Sequence, residues 1–185
     1  ELEINEEIDK LRHSATCSLL ERRDTVVVAS VSCIYGLGGP EDYYSSSISM
    51  RPDDKLDRDE LVKRLIKIQY QRNDMDFARG TFRVRGDIVE VFPASSSDTA
   101  IRVEFFGDTV EKISEIGAID GNVKATLLHT IIFPATHYVI NGITVEEALA
   151  RISADKENEV KAFTDGGKPL EAFRLNQRVN YDIEM

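Results

Sequence analysis

Two short segments with alternating charged residues carry the chemistry of this chain. In residues 82–85 (FRVR) and 101–104 (IRVE), apolar and charged side chains alternate, and this period of two predicts half-buried strands of an antiparallel sheet. The side facing water would carry Arg83, Arg85, Arg102 and Glu104, with Arg72 shortly before them. Arginines on a rigid strand suit planar, bidentate recognition of a carboxylate or phosphate. A solvated, charged face is the default in antiparallel sheets, so from this pattern alone both interpretations stay open.

The elements around these segments form a compact block over residues 43–136. Asp57 is a candidate cap for a helix, with Glu60 at the capping-box position and an apolar stripe that includes Leu61 and Leu65. This helix is expected to end near Arg72. Hairpin turns are predicted at Gly86-Asp87, at Gly107-Asp108 and at Asp120-Gly121. The predicted strands are Thr81–Arg85, Asp87–Phe92, Ile101–Phe106, Thr109–Ile116 and roughly Lys124–Phe133.

The N-terminal residues 1–42 predict a helix followed by a buried strand. Apolar positions recur at helical spacing over 3–23, and the β-branched run 25–31 (TVVVASV) is typical of a strand that is covered on both faces. Ser30 and Ser32 end this strand, where ligands of open α/β sheets bind, although small residues also suit a plain exit from a strand. No second strand of this type occurs, which indicates a fragment of a larger α/β core.

The C-terminal residues 137–185 predict an antiparallel helical hairpin. A helical pattern over 144–163 is broken by Gly166 and Gly167, and Pro169 suits the first turn of a final helix. The basic residues of this helix are balanced by acids, which disfavours a DNA-reading hairpin. The predicted fold class is therefore α+β: an antiparallel meander with a packed helix, flanked by the helix-strand piece and the helical hairpin.

Composition excludes several classes of function. The net charge of −10 argues against a nucleic-acid binder acting by bulk electrostatics, although residues 58–85 hold eight Lys and Arg against four Asp and Glu. The two cysteines lie in apolar contexts, the three histidines are scattered, and no metal site is predicted. The chain has no apolar run long enough for a membrane span and no phosphate loop or nucleophile motif. We therefore expect a cytoplasmic, non-catalytic module without a cofactor.

Longer stretches of the sequence resemble a known family. The segments NEEIDKLRHSAT, VVVASVSCIYGLG, RGTFRVRGDIVEVFPA, IRVEFFGD and YDIEM are similar to the UvrB family of bacterial nucleotide-excision repair. The resemblance covers essentially the whole chain. A transcription-repair coupling factor has a related UvrA-binding module, but the flanking segments SVSCIYGLG and LEAFRLNQR favour the UvrB family.

The resemblance implies a role for the charged sheet face. It implies an inserted domain that docks on UvrA through Arg72, Arg83, Arg85, Arg102 and Glu104. With the resemblance, the protein-docking interpretation of this face is favoured over the solvated one. The resemblance also implies that Arg12, Ser30 and Ser32 lie near the DNA path of the parent protein. ATP, magnesium, DNA and UvrC would be bound through parts of the parent that this chain lacks, so ATP hydrolysis is not expected of this chain alone.

Overall fold

The computed structural model describes residues 6–137 and 142–184, with side chains described from residue 147 in the second range. The chain divides into two compact units, residues 1–139 and 140–185. The boundaries predicted from the sequence at residues 42–43 and 136–137 stay predictions. Among the described residues, no helix has the length and apolar character needed to cross a membrane.

The first unit contains three helices, a 3₁₀ helix and eight strands among its described residues. The helices are α1 (Glu6–Glu21), a 3₁₀ turn (Val31–Ile34), α2 (Pro40–Ser45) and α3 (Arg58–Lys67). The strands are β1 (Ile48–Met50), β2 (Gln71–Arg72), β3 (Thr81–Arg85), β4 (Ile88–Phe92), β5 (Thr99–Phe106), β6 (Thr109–Gly117), β7 (Val123–Leu127) and β8 (Thr130–Ile132). Strands β2 to β7 form one sheet in chain order, and β1 pairs with β8 in a separate ribbon.

The six-stranded sheet is an antiparallel meander from β3 to β7, with a parallel pair at the β2 edge. Its inner face packs on α3 through a core that includes Leu61, Leu65, Phe82 and Val103, all at 0 % exposure. These residues come from the alternating positions of the strands and the apolar stripe of the helix, as the two periodicities require. The opposite face of the sheet therefore carries the charged residues.

The local signals in this block are confirmed. Asp57 caps α3, because its side chain accepts a hydrogen bond of 2.8 Å from the backbone N–H of Glu60. Gly86 and Gly107 adopt positive φ angles at the two predicted hairpin turns. The predicted end of the helix near Arg72 is wrong: the helix ends at Lys67, and Arg72 lies in the edge strand β2.

Two predicted strands differ in the structure. The strand expected over 124–133 is broken, and its halves β7 and β8 pair with different partners. The buried strand expected over 25–31 is wrong: residues 25–30 have no regular structure, and Val26 and Val28 are 87 % and 95 % exposed. A strand needs ladder hydrogen bonds from a neighbour, and this segment pairs with no strand of the described residues. In place of the helix-strand piece, the structure therefore has a helix followed by an exposed segment without regular structure.

The second unit is the predicted pair of helices, α4 (Gly142–Asp165) and α5 (Pro169–Glu184). The break lies at the predicted glycines, and Gly167 has a φ of 71°. Lys156 donates a hydrogen bond of 2.8 Å to the side chain of Asn180, which joins the two helices.

Candidate functional site

The register of the sheet places three charged residues in one row across its outer face. Arg83 on β3 lies opposite Glu90 on β4, and Glu90 lies opposite Arg102 on β5. Because directly opposed residues in an antiparallel pair point to the same face, the three side chains meet. We call Arg83, Glu90 and Arg102 the charged row.

The charged row is a closed ion-pair network. Glu90 accepts a hydrogen bond from Arg83 Nε at one carboxylate oxygen and one of 2.7 Å from Arg102 Nε at the other. The Glu90 side chain is only 5 % exposed, against 16 % for Arg83 and 24 % for Arg102. Burial acts to raise the pKa of Glu90, but the hydrogen bonds and charges of the two arginines outweigh it and hold that pKa below its ordinary value. The carboxylate is therefore ionised at neutral pH.

In this network Arg83 and Arg102 are not freely solvated, unlike the arginines of the alternative interpretation of the face. Arg83 stacks on the Phe77 ring, with its guanidinium carbon 4.2 Å from the ring centroid. Arg102 also donates to the backbone oxygen of Gly121 at 3.2 Å. Both guanidiniums are thus fixed in position rather than mobile. Glu90 lies at an outward position of the alternation in β4, and that signal could have identified it.

The other predicted residues of the face lie around the charged row. Arg85 is exposed, and its side chain has no hydrogen bond or ion pair among the described residues. Arg72 is 54 % exposed and donates to Asp74 at 3.0 Å. Glu104 is half-buried opposite Ile88 and has no such partner within the described part of the chain. The face therefore has the charged row at its centre and exposed or half-buried charged residues around it. We call Arg72, Arg85 and Glu104 the margin of the charged row.

The structure brings Arg12 together with the segment that follows α1. Its guanidinium donates to the backbone oxygens of Cys33 at 3.2 Å and Tyr35 at 2.7 Å. Ser30 and Ser32 are exposed, and their hydroxyl oxygens lie 2.6 Å apart. An open, mostly apolar groove of about 740 Å³ lies between α1 and this segment. The DNA proximity of these three residues stays a prediction, and in this structure Arg12 acts as a clamp on the backbone.

A second cluster of titratable groups lies where α1 meets the end of β8. The prediction that the histidines are scattered is wrong, because the rings of His13 and His137 stack with centroids 3.9 Å apart and planes at 22°. His137 Nε2 lies 3.1 Å from the Thr16 hydroxyl, which itself donates to a backbone oxygen at 2.9 Å. Because the Thr16 hydroxyl has only one proton to donate, it can only accept the hydrogen bond from His137. Nε2 of His137 therefore carries a proton. We call His13 and His137 the histidine stack.

The histidine stack is neutral at pH 7. Burial and the charge of His137 lower the pKa of His13 to about 4 against the opposing effect of Asp9, and burial also lowers the pKa of His137. Asp9 and the two histidines each place one ligand atom within 4.8 Å of the others. The lone pair of a histidine nitrogen lies in the plane of its ring, and these two planes are nearly parallel and stacked. The lone pairs therefore do not converge on one point, as the ligands of a metal ion must. Arg79 also lies 3.7 Å from the Asp9 carboxylate, so the arrangement favours a packed aromatic contact.

Comparison with known proteins identifies both units of the chain. Residues 48–138 match the family model described as the UvrB interaction domain, and residues 143–185 match that of the UvrB third helical domain. The charged row and its margin lie within the first match.

Similar curated proteins carry one name. The UvrABC system protein B of Lactococcus lactis subsp. lactis is 58 % identical over 182 residues, which cover 98 % of this chain and 26 % of that protein. Those of Streptococcus agalactiae and Streptococcus uberis are 56 % and 55 % identical over the same share of this chain and 28 % of their own lengths. The chain thus spans about a quarter of these relatives, and it belongs to the UvrB family.

Proposed function

We propose that this chain is a docking module of bacterial nucleotide-excision repair, which binds UvrA through the charged row and its margin. The observation that carries the proposal is the fixed row Arg83–Glu90–Arg102 with Arg85 and Arg72 beside it, inside the region that matches the UvrB interaction domain.

Glu90 holds the docking arginines in place. Its carboxylate binds the Nε atom of each neighbour, and the Arg83 side chain donates no other hydrogen bond within the described residues. The terminal nitrogens of its guanidinium therefore stay available to an incoming carboxylate. Because the arginine is already ordered, little side-chain entropy is lost on binding. The complementary surface on the partner is acidic.

A direct DNA contact is the second candidate function. The local excess of positive charge between residues 58 and 85 favours it, whereas the net charge of −10 and the two glutamates on the face oppose it. A phosphate-binding face would give an affinity that falls steeply with salt. Contacts with DNA and UvrC, ATP hydrolysis with magnesium, and residence in the cytoplasm are proposals for the longer protein that the relatives represent.

Titration calorimetry of the 185-residue chain against UvrA at two salt concentrations tests the proposal. We expect binding that weakens with salt, and a loss of about 2–5 kcal/mol for Arg85→Glu as a desolvated interfacial charge is reversed. The matched control is Lys63→Glu on α3, an exposed charge reversal on the helix that covers the other face of the sheet. Unchanged affinity in both Arg85→Glu and Arg83→Glu would sink the proposal. A duplex DNA titration in the same buffers tests the second candidate.

A further inference from the structure

We propose that the loop 73–77 belongs to the docking surface and that Met75 is its apolar anchor, which takes a pocket bordered by carboxylates on the partner. The inference rests on the proposed function and names a contact that the charged residues alone do not supply. Met75 is 97 % exposed, although methionine is among the residues enriched at the buried centres of interfaces.

The loop is held in one conformation by its own side chains. The Asn73 side-chain oxygen accepts hydrogen bonds from the backbone N–H groups of Met75 at 3.2 Å and Asp76 at 2.9 Å. The Asp74 carboxylate accepts one of 3.0 Å from the backbone N–H of Val84 and another of 3.0 Å from Arg72 Nε. The two bonds to Asn73 close the loop on itself across Met75, and the two bonds to Asp74 tie the loop to β3 and β2 just before Met75. A fully exposed side chain on an ordered loop is prepared for binding, because little order has to be gained.

The loop lies on the same face of the sheet as the charged row. Two residues after Met75, the ring of Phe77 covers the Arg83 guanidinium and lies 5.6 Å from the Phe92 ring. Phe92 shares its face with Glu90, two positions earlier on β4. The hydrogen bond from the Val84 N–H lowers the pKa of the Asp74 carboxyl most, the hydrogen bond and charge of Arg72 lower it further, and the charge of Arg85 adds a smaller effect. Asp74, the residue before Met75, therefore interacts with both Arg72 and Arg85.

These neighbours define the chemistry of the partner surface. An apolar pocket would take the Met75 side chain, and carboxylates at its border would face Arg72 and Arg85. Interfaces of this kind concentrate their binding energy in a central apolar or aromatic anchor within a ring of polar contacts. The exposed carboxylate of Asp76 requires a hydrogen-bond donor or a cation on the partner.

The test compares Met75→Ala with Ile119→Ala by calorimetry against UvrA. Ile119 is a matched control, because it is 99 % exposed and lies in the turn between β6 and β7, near the other edge of the sheet. We expect Met75→Ala to weaken binding at least tenfold and Met75→Leu to restore most of it, whereas Ile119→Ala changes the affinity less than twofold. Both alanine variants should keep the wild-type melting temperature.

The variant Arg85→Glu, measured alongside, separates the two proposals. If it weakens binding while Met75→Ala matches Ile119→Ala, the anchor is overturned and the arginine docking stands. If Met75→Ala weakens binding while Arg85→Glu and Arg83→Glu do not, the loop contact stands and the proposed arginine docking fails. If none of the variants weakens binding to UvrA, both proposals are wrong.

Discussion

Glu90 in the charged row and His13 in the histidine stack are both almost fully buried, but one is ionised and the other is neutral. Glu90 is 4 % exposed and His13 is 2 % exposed. Glu90 stays ionised, because each carboxylate oxygen accepts a hydrogen bond from an arginine and these partners outweigh the cost of burial. His13 is neutral, because its nearest acid, Asp9, lies 3.9 Å away and does not outweigh burial and the surrounding positive groups.

The difference shows that burial alone does not decide the charge of a side chain. A buried charge persists where hydrogen bonds from oppositely charged groups replace its water, and it is lost where they do not. The row can therefore offer charge to a partner, whereas the stack serves as packing between α1 and the end of β8. Variants of the two regions can test this distinction.

The largest effect is expected from removal of the Glu90 carboxylate. Glu90→Ala leaves two guanidiniums facing each other in a region from which water is largely excluded, and we expect a loss of about 3–4 kcal/mol in the free energy of unfolding. Chemical denaturation at pH 7 measures it. Glu104→Ala is the matched control, since this glutamate lies on the same face without a partner among the described residues. Equal losses in the two variants would show that the row does not depend on its central charge.

The two regions should lose stability in different ranges of pH. The folded pKa of His13, about 4, lies below its ordinary value of 6.5, so the unfolded chain takes up the proton first. The neutral His13 therefore contributes fully to the free energy of unfolding above pH 6.5. This contribution is lost as the pH falls toward 4, and the loss is roughly 3 kcal/mol at most. The pKa of Glu90 is lowered from 4.5, so its contribution is complete above that pH and is lost only below it.

Unfolding measured between pH 7 and pH 4 checks this order. His13→Phe keeps an aromatic ring in the stack and should flatten the profile in this range, whereas Glu90→Ala should retain the wild-type slope. A wild-type profile that is flat between pH 6.5 and 4.5 would contradict the neutral state of the stack.

The sequence identified the charged sheet face better than it identified the contacts on that face. Alternation over 82–85 and 101–104 predicted the outward arginines, because period and face are local properties of a strand. The ion pairs of Arg83 and Arg102 with Glu90 depend on strand register, which no local pattern records. The stack depends on a contact between residues 13 and 137, far apart in the chain. The strand predicted over 25–31 failed because β-branched residues favour a strand but do not supply its neighbour.

A smaller effect is expected from the hydroxyl that links the stack to the chain. Tyr43 Oη lies 3.4 Å from His13 Nδ1 and donates to the backbone oxygen of Pro134 at 3.4 Å. Tyr43→Phe removes these long hydrogen bonds but keeps the ring, so we expect a loss of about 1 kcal/mol in the free energy of unfolding. Tyr44→Phe, on the same helix and 51 % exposed, is the control. A loss in Tyr43→Phe no larger than in this control would show that packing alone holds the stack.

The smallest effect is expected where charges are paired without burial. Lys55 lies 3.3 Å from Asp108, and both side chains are about three-quarters exposed. Water screens this pair and competes for its hydrogen bonds, so Asp108→Asn should leave the denaturation midpoint within experimental error at low and at high salt. Glu90→Gln, which likewise replaces a carboxylate by an amide of the same shape, should be clearly destabilised in the same measurements. If the two amide variants lose the same stability, the ion pairs of the charged row contribute no more than an exposed pair. Glu90 would then not be what holds the two arginines in position.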